Sequence, residues 1–180
     1  MEIIDTKLKG LYIIKPKVFA DDRGYFFESY NADEFKKSGI TANFVQDNQS
    51  LSNTGVLRGL HFQTPPFDQG KLVRVITGAV LDVAVDIRKN SSTYGEHVTI
   101  ELTEENKTMF YIPPGFAHGF LTLKDNTIFS YKCTNVYNKA SEGTVFWNDT
   151  EININWNIVN PILSEKDLVG TIFKKFNSPF

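Results

Sequence analysis

The stretch Val80–Arg88 is the strongest constraint on how this 180-residue chain folds. Leu81, Val83, Val85 and Ile87 alternate with Val80, Asp82, Ala84, Asp86 and Arg88. That period of two belongs to a strand with one buried face and one more polar face. Shorter runs of the same kind recur at Leu11–Ile14, Tyr25–Tyr30, Val56–Gln63, Lys71–Thr77, His97–Leu102, Thr108–Ile112, Gly119–Leu123, Thr127–Thr134 and Thr144–Trp147. Turn residues separate them, as in Thr64-Pro65-Pro66, Lys89-Asn90-Ser91-Ser92, Pro113-Pro114-Gly115 and Lys124-Asp125-Asn126. Helical grammar is confined to Asn31–Gly39 and Ser164–Gly170, where a capping residue precedes acidic side chains and glycine closes the segment. Fifteen Phe, seven Tyr and two Trp agree with this pattern, because aromatic side chains favour strands. The expectation is a mainly β chain, one domain over residues 1–180, built as a β sandwich or small barrel with a few short helices.

Charge and cysteine content narrow the function. Nineteen Lys and Arg against twenty-one Asp and Glu leave a net charge of −2, which argues against a broad nucleic-acid or anionic-membrane binder. The single cysteine, Cys133, cannot close an intramolecular disulfide. It lies in the apolar run Ile128–Cys133 and reads as a buried, inert thiol in a reducing compartment. The N-terminus lacks a basic region followed by a long apolar stretch, and no uncharged apolar run approaches the ~20 residues of a membrane span. A soluble cytoplasmic protein is expected.

The three histidines carry the chemical argument. His61 sits in Arg58-Gly59-Leu60-His61-Phe62-Gln63, Lys71 follows in Gly70-Lys71-Leu72-Val73, and His118 closes Pro113-Pro114-Gly115-Phe116-Ala117-His118. These spacings resemble the two motifs of the cupin superfamily, which implies a jelly-roll β sandwich or barrel. In metal-binding cupins the first motif supplies two histidines and a glutamate, and the second a third histidine. Here Gln63 stands at the second histidine and Lys71 at the glutamate. Two imidazoles beside an ammonium make a poor site for Zn²⁺ or Fe²⁺, which need more donors and compensating negative charge. A metal-free cavity with a fixed cation is therefore expected, and a cation of that kind can stabilise an oxyanion.

A histidine base and a lysine cation suit proton abstraction beside a carbonyl, because the enolate oxygen needs a preorganised positive partner. Strand parity puts Lys71 with Val73 and Val75, and Tyr131 with Phe129 and Cys133, so both can enter one barrel. Inversion then needs an acid on the opposite face of the carbanion, and Tyr131 is suited to it. Singly, each residue also has a plainer reading. His61 and Tyr131 could be packed strand residues, Lys71 a solvated strand start, and Asp167 a capping partner for Ser164.

The resemblance extends over the chain. Pro16–Tyr30, Phe44–Asn48, Leu57–Gln63, Gln69–Arg74, Asp82–Lys89, Gly115–Phe120, Tyr131-Lys132, Ser141–Gly143, Trp147–Asp149 and Leu163–Asp167 occur in the order found in the dTDP-4-dehydrorhamnose 3,5-epimerase family, which the chain resembles. The resemblance implies that His61 removes protons from C3 and C5, that Asp167 orients and charges His61, that Lys71 stabilises the C4 enolate, and that Tyr131 reprotonates. It implies substrate-binding roles for Arg23, Phe26, Glu28, Gln46, Asp47, Asn48, Arg58, His118, Glu142 and Lys166. It implies no cofactor, a dTDP-4-keto-6-deoxy sugar as substrate, and a homodimer whose N-terminal strands exchange so that Phe26 and Glu28 complete the partner's site. Single epimerisation at C3 or C5 is the alternative within the same chemistry, and a metal-dependent cupin a more distant one. His97 is read as a surface or packing histidine. Strict alternation puts Arg58 on the strand face opposite His61; a bulge at Gly59 or a neighbouring subunit would reconcile them.

Overall fold

The computed structural model describes residues 1–180, all in thirteen strands, two short α-helices, two 3₁₀ turns and their connections. In chain order the elements are β1 (Glu2–Asp5), β2 (Tyr12–Lys15), β3 (Phe19–Asp21), β4 (Gly24–Phe26), α1 (Ala32–Lys37), β5 (Gln46–Ser52), β6 (Leu57–Gln63) and β7 (Lys71–Thr77). They continue as β8 (Ala79–Asp86), β9 (His97–Thr103), β10 (Met109–Ile112), β11 (Phe116–Thr122), β12 (Thr127–Cys133), β13 (Glu142–Thr144) and α2 (Glu165–Leu168). A six-stranded sheet of order β1-β2-β10-β7-β12-β5 faces a five-stranded sheet of order β13-β6-β11-β8-β9. Every strand pairing is antiparallel, and neighbours are mostly non-consecutive in sequence. This is the jelly-roll arrangement expected of a cupin.

The core between the sheets joins Val73 and Val75 of β7, Val80 and Ala84 of β8, Phe120 of β11 and Phe129 of β12. The other face of the five-stranded sheet, including Val83, Val85 and Ile87, is covered by the C-terminal segment through Trp147, Ile152, Ile154 and Trp156. β8 is thus buried on both faces, and the expected polar face is not solvent-facing: Asp82 and Asp86 are fully buried. A buried carboxylate needs partners, and each has them. Asp86 takes the Arg88 guanidinium and the Ser91 and Thr93 hydroxyls, which hold its pKa at about 2 against the effect of burial. Asp82 pairs with His118, which lines the cavity described below.

On the outer face of the six-stranded sheet, α1 buries Phe35 against Ile14, Leu72, Met109 and Tyr111. Its Asn31 side chain accepts from the Asp33 and Glu34 amides, as the capping pattern predicts. Several boundaries differ from the sequence reading. The expected Tyr25–Tyr30 strand keeps only Gly24–Phe26, in a solvent-exposed hairpin with β3, because Tyr30 turns down to pack on Phe35 and Phe44. β11 begins at Phe116, three residues before the expected Gly119. The expected Thr144–Trp147 strand lies instead at Glu142–Thr144, and Trp147 belongs to the C-terminal cover. Strands β1, β3 and β5 were not expected. No helix is long and apolar enough to cross a membrane.

Candidate active site

A cavity of about 460 Å³ opens between the sheets, and its wall is assembled from six strands and one helix. β6 contributes Arg58 and His61, β7 Lys71, β11 His118, β12 Tyr131, β5 Gln46 and Asn48, β13 Glu142, and α2 Lys166 and Asp167. Ten of the residues selected from sequence therefore meet in one place.

The centre is the His61–Asp167 pair. His61 Nε2 lies 2.6 Å from Asp167 Oδ1. Asp167 is almost fully buried, and its other oxygen accepts the Ser164 hydroxyl at 2.6 Å, while the Gly59 amide donates to Oδ1 at 3.2 Å. Burial alone would raise the Asp167 pKa, but the donors from His61, Ser164 and Gly59 outweigh it and hold it at about 2. An ionised carboxylate only accepts, so Nε2 carries the proton and Nδ1 keeps the lone pair of a base. Burial lowers the His61 pKa below its ordinary value, with Lys166 and Lys71 adding to the effect, and Asp167 pulls the other way. The imidazole is therefore neutral at neutral pH. Ser164 also accepts from the Asp167 amide as the cap of α2, so the capping role and the dyad role coexist in one residue.

A bulge at Gly59 makes this possible. Across β6 and β11, His61 pairs with His118 but Arg58 pairs with Phe120, so β6 carries one extra residue between them. The extra residue brings Arg58 to the same cavity as His61, resolving the parity conflict within one chain. Gly59 has φ +136, and a Cβ there would lie 2.5 Å from the Gly119 Cα, so only glycine fits.

A second imidazole–carboxylate pair lies beside the first. His118 Nε2 is 3.0 Å from both oxygens of Asp82. Burial lowers the Lys71 pKa below its ordinary value, and Asp82 is among the groups opposing that shift. Burial raises the Tyr131 pKa, so the phenol keeps its proton. The Cys133 thiol is also pushed up by burial and remains a thiol, with Asn48 Nδ2 donating to its sulfur at 3.5 Å. At the mouth, Lys166 is ion-paired to Glu142, whose other oxygen accepts the Tyr137 hydroxyl at 3.4 Å. No three His, Cys, Asp or Glu side chains converge in a metal-ligating cluster, and the Gln63 amide faces backbone groups rather than an open position.

Four selected residues lie elsewhere. Asp47 is on the opposite face of β5 from Gln46 and Asn48, where it accepts from Lys132 at 2.9 Å; alternation along the strand turns it outward. Arg23 pairs with Asp21 at the tip of the β3–β4 hairpin, and its side chain is 90% exposed. Phe26 is 66% exposed on the same hairpin, and Glu28 accepts from Asn31. None of the three lines this chain's own cavity. Conversely, sequence reasoning did not select Asp82, Tyr137, Ser164 or Ser50. Asp82 was visible as a charge within an apolar strand; Ser50 had no signal, since it lies on a polar strand that the pattern did not reveal. His97 is half-buried on β9, away from the cavity, as the packing reading has it.

The architecture and this cavity define a cupin-type jelly roll that holds a histidine–aspartate pair beside a lysine and a tyrosine. The family model described as dTDP-4-dehydrorhamnose 3,5-epimerase matches residues 5–175. A dTDP-4-dehydrorhamnose 3,5-epimerase of Shigella flexneri is 51% identical over 174 residues, covering 96% of each chain. The crystal structure of a dTDP-6-deoxy-D-glucose-3,5-epimerase from Legionella pneumophila, in complex with dTDP-4-keto-L-rhamnose, superposes with a TM-score of 0.94 at 46% identity, covering 98% of this chain and 94% of that one. A more distant 3'-monoepimerase from Streptomyces bikiniensis, in complex with dTDP-quinovose, has a TM-score of 0.89 at 29% identity, covering 94% of this chain and 86% of that one. The chain belongs to the dTDP-4-dehydrorhamnose 3,5-epimerase family and is an isomerase acting as a sugar-nucleotide epimerase.

Proposed function

We propose that the cavity binds dTDP-4-dehydro-6-deoxy-D-glucose and inverts C3 and C5 to give dTDP-4-dehydro-L-rhamnose, without a cofactor. The observation that carries this reading is the His61–Asp167 dyad sharing one cavity with Lys71 and Tyr131. Neutral His61 takes the proton from the carbon beside the C4 ketone. The electron pair moves onto the C4 oxygen, where the Lys71 ammonium stabilises the enolate. Tyr131 returns a proton from the opposite face; His61 then gives its proton to solvent, Tyr131 regains one from solvent, and the cycle repeats at the second carbon. Arg58 and Lys166 supply positive charge for the diphosphate, and Gln46, Asn48, His118 and Glu142 supply polar contacts to the substrate.

In this reading the active unit is a homodimer. The exposed hairpin β3–β4 reaches the partner's cavity, delivering Arg23, Phe26 and Glu28, which have no site in their own chain. The enzyme works in the cytoplasm.

Turnover in D₂O, followed by NMR, tests the chemistry. Deuterium is expected at both C3 and C5. No deuterium at either carbon rejects the reading, and deuterium at only one identifies a mono-epimerase, the activity of the related Streptomyces bikiniensis protein. His61→Ala is expected to abolish exchange. Tyr131→Phe is expected to spare exchange more than net inversion, because an enolate formed by His61 can still recover its proton from the same face.

A further inference from the structure

Gln63 ends β6 two residues after His61, at the position where a metal-binding cupin would place a ligand, and it is almost fully buried. Its side chain is turned to a different task. Nε2 donates to the Phe67 carbonyl at 2.6 Å and to the Val136 carbonyl at 3.2 Å, while Oε1 accepts the Asn138 amide at 2.8 Å. One carboxamide thus ties the Thr64–Gly70 loop to the Asn135–Asn138 strap. Only an amide side chain can give two protons to carbonyls and accept one from an N–H at the same time. The strap has further ties: Gln46 Oε1 accepts the Tyr137 amide at 2.9 Å, Gln69 Nε2 donates to the Asn135 carbonyl at 2.7 Å, and Asn135 Nδ2 donates to the Pro66 carbonyl at 3.0 Å.

The strap carries Tyr137, whose hydroxyl reaches Glu142, and Glu142 in turn pairs with Lys166 at the mouth. The reacting set has separate supports: Asp167 is held by Ser164 and Gly59, and Lys71 and Tyr131 sit within the β7–β12 ladder. We propose that Gln63 is a positioning residue: it fixes the strap, and through Tyr137 and Glu142 shapes the mouth where the nucleotide diphosphate is held, without taking part in proton transfer. This inference rests on the sugar-nucleotide reading above.

The test uses Gln63→Met, which keeps the volume but removes every hydrogen bond, and Gln63→Glu, which turns the donor into a carboxylate facing two carbonyls. Binding of dTDP to the full chain is measured by calorimetry, and turnover is measured in parallel. Both variants are expected to weaken dTDP binding and raise KM by about tenfold, with kcat within about twofold of wild type and an unchanged pH profile. A fall in kcat at constant KM, or a shifted pH limb, would place Gln63 with the reacting atoms and overturn the proposal. So would unchanged dTDP affinity in a wild-type chain that binds dTDP. A wild-type chain that binds no dTDP overturns the sugar-nucleotide reading, and this inference with it. Asn135→Ala removes one strap tie without entering the core, so it keeps the test decisive if the buried substitutions do not fold. It is expected to weaken dTDP binding in the same direction, and an unchanged affinity there also counts against the proposal.

Discussion

At the scale of the residue, one carboxylate does two jobs. Asp167 completes the cap of a helix barely one turn long and also fixes the tautomer of His61. The two depend on each other, since a free helix of this length has no stability of its own. The pH dependence follows from the directions of the shifts. His61 has a lowered pKa in the folded chain, so the base is neutral above that value and is lost as pH falls through it. The acid limb of kcat/KM is therefore expected below the ordinary histidine value of about 6.5. Lys71 is also lowered, so the alkaline limb is expected below the ordinary lysine value of about 10.4, where Tyr131 still holds its proton. Asp167→Asn keeps the shape but can present the wrong partner to Nε2, and a loss of about 10²–10⁴ in turnover is expected. A limb centred at or above the ordinary histidine value, or Asp167→Asn with near-normal turnover, would remove His61 as the dyad base. Asp167 is also a source of acid sensitivity. Its depressed pKa contributes stability that is full above the unfolded value of about 3.9 and is lost as pH falls towards about 2.

At the scale of the element, the informative strand is the one the sequence concealed. β5 reads Gln46-Asp47-Asn48-Gln49-Ser50-Leu51-Ser52, with no apolar alternation, because its inward face lines the cavity rather than the core. Hydrophobic periodicity finds strands that bury oil; a strand that walls a polar site has the same geometry and no such signature. β8, by contrast, announced itself, though the face read as more polar carries carboxylates that are fully buried. Asp82 and Asp86 can be buried because His118, Arg88, Ser91 and Thr93 lie next to them in the fold, and those partners come from other parts of the chain or from a turn. The positions of His61, Lys71, Tyr131 and Asp167 were legible because each lies in a local motif. The mouth residue Tyr137 was not, because only the fold brings it to the cavity, whereas Ser164 was visible as a cap but not as a support for the dyad. The Gly59 bulge was one of two ways to reconcile a conflict of parity, the other being a neighbouring subunit, and it supports a prediction of its own. Gly59→Ala forces a side chain against Gly119 at a left-handed φ. It is expected to destabilise the fold by about 1–3 kcal/mol and to cost more activity than stability, because the bulge aims both Arg58 and an amide of the Asp167 site. Chemical denaturation beside turnover checks this; a Gly59→Ala chain with native stability and turnover would show that the bulge is dispensable.

At the scale of the whole molecule, a single chain leaves two features without an account. The β3–β4 hairpin pairs with neither large sheet and leaves Phe19, Tyr25 and Phe26 more than half exposed, and β5 is an edge strand with a neighbour on one side only. Exposed aromatic hairpins and unpaired edges are costly to leave open in solution, and the strand exchange proposed above would cover both. Three residues implied by the family resemblance, Arg23, Phe26 and Glu28, lie on or next to this hairpin and away from their own cavity. A mixing experiment separates exchange from a monomeric site. Arg23→Ala and His61→Ala chains are each expected to be strongly impaired alone. Unfolded together and refolded as a mixture, half the dimers pair the two chains, and in each of those one cavity combines an intact His61 with the partner's intact Arg23. Activity is then expected to recover to about a quarter of wild type, with the dimer seen by sedimentation. A dimer without recovery would mean that Arg23 serves its own chain or no site, and a monomer would leave the hairpin to a different partner; either result removes the shared cavity.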